Sequence, residues 1–106
     1  MKKLLIAAII SLSSVTTAAV AEVKVGIILG FTGPIESLTP AMRDGARMAF
    51  DEASNSGNLL GGETITILEA DSTCVDSAAA TAAAEQLVAD GVSAIMGADC
   101  SGVTGA

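Results

Sequence analysis

Ser101 sits between Cys100 and Gly102 in "GADCSGVTGA", residues 97–106 of a 106-residue chain. A serine among small residues just after an apolar run has three chemical uses. It can attack as a nucleophile, help cradle a phosphate, or hold a ligand by its hydroxyl. The first use needs a base, and the chain has no histidine. "DCSGV" also lacks the G-x-S-x-G elbow that sharpens a serine nucleophile. The second use fares no better, because Val103 stands where a P-loop carries lysine. "GFTG", residues 30–33, is not the G-x-G-x-x-G of a dinucleotide site. Two readings stay open for Ser101: a cap on a helix that begins there, and a hydrogen-bonding hook for a ligand carboxylate. They do not exclude each other.

Cys74 and Cys100 are the two cysteines. Each falls just after an apolar, β-branched run, so a shared sheet edge would bring them together. A disulfide is the natural reading in an oxidising compartment. A metal pair and free thiols are the rivals, and two cysteines without histidine make a poor zinc site. No metal or cofactor is expected.

The elements that position these residues follow from periodicity. Residues 23–29, "VKVGIIL", read as a buried strand. A loop follows, punctuated by Gly33-Pro34. Thr39 as N-cap and Pro40 at the first position predict a helix start. Met42, Ala46, Ala49, Phe50 and Ala53 then recur at helical spacing, and Gly57 suits the end. Gly61-Gly62 make a turn. Residues 64–70, "TITILEA", read as a second strand, with Asp71 at its C-terminal end. Asp76 caps a second helix over 77–90, which carries Ala80, Ala83, Ala84, Leu87 and Val88 on one face. Gly91 stops it. Residues 92–96, "VSAIM", form a third strand that Gly97 ends. The order β-α-β-α-β predicts right-handed crossovers and a parallel sheet. A three-stranded half-sheet that stops where its next helix begins reads as the N-terminal part of a longer protein.

The N-terminus has its own pattern. Lys2 and Lys3 precede an apolar stretch, residues 4–12, and Ala19-Val20-Ala21 forms a small-x-small site. That is the layout of a secretory signal peptide, with cleavage expected after Ala21. The apolar run is too short for a spanning helix, so the mature chain, residues 22–106, is expected to be exported to the periplasm without inserting in the membrane. The full chain has a formal charge of −7; without residues 1–21, Lys24, Arg43 and Arg47 face twelve acids, a balance of −9. Such a surface repels phosphate backbones and anionic lipid, which argues against a nucleic-acid partner.

"VKVGIILGFTGP", "RDGARMAFDEAS", "ITILEADSTC" and "LVADGVSAIMGADCSGVT" together resemble the type I periplasmic binding proteins. They are most similar to the leucine/isoleucine/valine-binding subfamily of ABC-transporter solute receptors. The resemblance spans residues 23–106. It implies an α/β fold, here a parallel β-α-β-α-β portion of the first of two lobes that close on a ligand. It also implies a Cys74–Cys100 disulfide. Ser101 is implied as the contact for an amino acid's α-carboxylate, with the helix N-terminus at Gly102 nearby. Leu38 takes the place of a residue that is often aromatic and lines the ligand's side-chain pocket; Thr39 follows where glycine is common. The implied role is capture of an amino acid or similar small carboxylate for an inner-membrane permease, without catalysis. A ligand-sensing receptor domain of the same fold is the alternative, and an exported hydrolase is a more distant one.

Overall fold

The computed structural model describes residues 22–106, so the signal-peptide reading lies outside the described residues. Three strands and three helices alternate: β1 (Glu22–Leu29), α1 (Thr39–Asn55), β2 (Thr64–Asp71), α2 (Ser77–Ala89), β3 (Ala94–Met96) and α3 (Ser101–Thr104), with a 3₁₀ turn at Leu59–Gly61. The sheet order is β2-β1-β3, and both pairings are parallel. The predicted α/β class and parallel sheet are therefore observed.

β1 is central, which explains its composition. Both of its faces are covered, so Val25, Ile27, Ile28 and Leu29 are all buried and little polar alternation survives. A Cβ on Gly26 would touch Leu87 of α2. Glu69, which pairs in register with Ile27, meets Arg47 of α1 at 2.6 Å instead. Successive strand residues face opposite ways, so α1 and α2 lie on opposite sides of the sheet. Right-handed crossovers require that arrangement when one connection steps from β1 to β2 and the next steps back over β1 to β3. Ala80, Leu87 and Val103 complete the core. Val88, expected on the packed face of α2, is 63% exposed. It borders a groove of about 420 Å³ that Ile28, Ala84, Ile95 and Val103 also line.

Several boundaries differ from the sequence expectation. Leu38, not Thr39, holds the N-cap position of α1, without a side-chain cap. Turns over residues 34–38 lead directly into α1, and Leu38 already has helical backbone angles, its N–H donating to Ile35 O at 2.9 Å. The Thr39 hydroxyl is fully buried and serves elsewhere, as described below. Strand β3 begins at Ala94, two residues later than predicted. Val92 is held by the end of α2: Gly91 N–H donates to Val88 O at 3.0 Å and Val92 N–H to Leu87 O at 3.2 Å. That is a Schellman motif, and it spends Val92 on the helix stop. Strand β2 runs one residue further than predicted, to Asp71. The Asp76 cap is present, its carboxylate accepting Ala78 N–H at 2.9 Å and Ala79 N–H at 3.0 Å.

Candidate functional site

Parallel strands end together, so the loops after β1, β2 and β3 share one edge of the sheet. Open α/β sheets place their ligand crevices at that edge. The three loops are residues 30–38, 72–76 and 97–100.

The Cys74–Cys100 disulfide joins the second loop to the third, with Cα atoms 5.3 Å apart. No free cysteine remains among the described residues. Two carboxylates, whose bonding the residue pattern did not foretell, add further ties. Asp71 accepts the Thr32 hydroxyl at 2.6 Å, Thr32 N–H at 3.3 Å and Thr73 N–H at 2.8 Å. Partial burial alone would raise its pKa, but these donors favour the charged form and hold it below the usual carboxylate value. Asp99 accepts Gly30 N–H with both oxygens, at 3.1 and 2.9 Å, and the buried Ser72 hydroxyl at 3.4 Å. The Thr39 hydroxyl donates to Gly30 O at 3.3 Å. An acid at a strand's end or just ahead of a loop cysteine is the signal that could have marked both residues. Side-chain partners across 27 to 69 positions of sequence are not visible in a local pattern.

The glycines of "GFTG" also find their explanation. Gly33 has φ +94, and a Cβ there would strike the Thr73 carbonyl. The motif is not a phosphate fingerprint. It lets the first loop lie against the second at a distance that side chains would forbid.

Ser101 is exposed and is the first residue of α3. The helix-cap reading is corrected: Cys100 occupies the N-cap position, without a side-chain cap. The Cys100 carbonyl accepts Val103 N–H at 3.2 Å, Thr104 N–H at 3.0 Å and the Thr104 hydroxyl at 2.9 Å. Gly102 is exposed, with nothing within 4 Å of where a Cβ would stand. Its carbonyl accepts the Ser77 hydroxyl at 3.4 Å, which brings the first turns of α2 and α3 together. Leu38 is 60% exposed at the entry to α1. Ser101, Gly102 and Leu38 thus all lie open around the carboxyl edge, and none of them lines the apolar groove. Among the described residues, no three His, Cys, Asp or Glu side chains are grouped to hold a metal ion. No described helix is long and apolar enough to cross a membrane.

A parallel sheet with helices on both faces and its loops fastened along the carboxyl edge defines an open, doubly wound α/β class of fold. The chain belongs to the periplasmic binding protein family, whose pattern it matches over residues 22–106. It is 30% identical over 83 residues to the Leu/Ile/Val-binding protein BraC3 of Rhizobium johnstonii, an alignment covering 78% of this chain and 22% of that protein. The chain therefore spans about a fifth of the length of that curated relative.

Proposed function

We propose that this chain is part of an extracytoplasmic solute-binding protein that captures an amino acid, branched-chain or related, and delivers it to an ABC permease in the inner membrane. The observation that carries this reading is the family match across every described residue. The relative named for leucine, isoleucine and valine supports the ligand class. Residues 22–106 then form part of the N-terminal lobe, and residues 1–21 are a cleaved signal peptide that sends the protein to the periplasm.

In this reading the Ser101 hydroxyl donates to the ligand's α-carboxylate. Gly102, having no side chain, lets the carboxylate approach the start of α3. Leu38 packs against the apolar part of the ligand. No bond is made or broken. Binding shifts an open two-lobed form toward a closed one, and the permease reads the closed form.

The test is a thermal-shift screen of the complete protein against amino acids, amides and short-chain acids. A ligand that binds only the folded state raises the melting temperature in proportion to its affinity. Amino acids raising the melting point supports the reading. A response confined to amides or to acids lacking the amino group overturns the ligand class.

A further inference from the structure

Asp99 has no part in the site just proposed, yet it is among the most connected side chains at the sheet edge. Both of its oxygens accept Gly30 N–H, and one also accepts the Ser72 hydroxyl. Gly30 follows β1 directly and Ser72 follows β2 directly. One side chain from the third loop thus fastens the roots of the other two. The Gly30 peptide carries the connection onward, because its carbonyl accepts the hydroxyl of Thr39, the residue after Leu38. A path of hydrogen bonds runs from the start of α1 through Gly30 to Asp99, two residues before Ser101.

The chemistry selects a carboxylate. A single N–H shared between two oxygens needs two acceptors on one planar group, and asparagine offers only one. An apolar side chain would leave Gly30 N–H and the fully buried Ser72 hydroxyl without this partner. The disulfide holds the same loop at Cys100, but through a different atom and toward α2. Asp99 ties it toward β1. Two ties in different directions fix a short backbone segment where one would leave it free to swing.

We propose that Asp99 is a positioning residue for ligand binding, holding the backbone of residues 99–101 against β1 so that the Ser101 hydroxyl is set before the ligand arrives. The inference rests on the reading of Ser101 as the carboxylate contact. Asp99 does not touch the ligand; both of its oxygens are engaged within the loops. Its effect is to remove the ordering cost that a loose hook would add on binding.

The test is a double-mutant cycle in the complete protein, with L-leucine as probe in isothermal titration. Asp99→Asn is expected to weaken binding about tenfold, the effect of roughly 1.4 kcal/mol. In a Ser101→Ala background the same change is expected to cost nothing further. Losses that simply add overturn the proposal, since Asp99 would then act on general stability and not through Ser101. Amide hydrogen exchange on the ligand-free protein supplies a second arm that needs no ligand. Asp99→Asn should speed exchange about tenfold at Gly30 and at Val103 and Thr104, whose N–H groups donate to Cys100 O, while β2 and α2 stay protected. Faster exchange at Gly30 alone, or at none of these amides, overturns the proposal. If Asp99→Asn does not fold, Ser72→Ala, which removes one bond of the same group, is read by the same two criteria. If the unmutated protein ignores leucine, the proposed ligand fails and the exchange arm decides the role of Asp99 by itself.

Discussion

The Asp71 carboxylate takes the Thr32 hydroxyl at 2.6 Å, tying the end of β2 to the loop of β1. With Thr32 N–H and Thr73 N–H it completes a small hydrogen-bonded turn between two loops.

This arrangement predicts a pH dependence. Burial opposes the charged form, the three donors outweigh it, and the folded pKa lies below the ordinary 3.8. The stabilisation is thus complete above about pH 5 and fades as pH falls through 3.8 toward the lower folded value. Asp71 is partly exposed, so solvent screening limits the effect to roughly a few tenths of a kcal/mol. Urea melts from pH 6 to pH 3 should show a shallower loss of stability for Asp71→Asn than for the unmutated protein. Identical slopes would remove Asp71 from the account.

The disulfide closes a separation of 26 residues. In the chain-entropy picture that contributes about 3–4 kcal/mol. Cys74→Ala/Cys100→Ala, or the reduced protein, should unfold at correspondingly lower denaturant. A change below about 1 kcal/mol would contradict the chain-entropy account of this cross-link.

Two glycines should respond in opposite directions. Gly97 has φ +127 and backs onto Ile28, whose carbonyl a Cβ would strike. Gly97→Ala should cost about 3 kcal/mol or more, or prevent folding. Gly45 lies inside α1 with nothing within 4 Å of its Cβ position. Gly45→Ala should stabilise by about 0.5–1 kcal/mol. Thermal melts of the two variants check both signs.

Asp76 accepts two N–H groups at the start of α2. Asp76→Ala should cost about 1 kcal/mol, and Asp76→Ser should recover most of it. Chemical denaturation of the pair separates loss of the cap from loss of charge.

Much of this fold is legible in local pattern. The β-branched run at 23–29 reads as a buried strand because the central strand of a parallel sheet is covered on both sides. Asp76 reads as a cap because its partners are two and three residues away. The misread positions are those where another part of the chain competes. Val92 looks like strand but completes the stop of α2. Thr39 looks like a cap but sends its hydroxyl back to Gly30. Ser101 looks like a cap, yet Cys100, drawn in by its disulfide, takes that position with extended backbone at φ −117. At the candidate site, residue types pointed to Ser101 and to the cysteine pair. The ties made by Asp71 and Asp99 were hidden, because their partners become neighbours only when parallel strands end side by side.

The central claim is that Ser101 holds the carboxylate of a captured amino acid. Isothermal titration of the complete protein with L-leucine, beside its Ser101→Ala variant, tests that most directly. The account predicts saturable binding that weakens by about 1–3 kcal/mol in the variant, roughly five- to 150-fold in Kd, as a charge-assisted hydrogen bond is lost. Equal affinity in the two proteins would contradict it and leave Ser101 as only the first residue of a short helix.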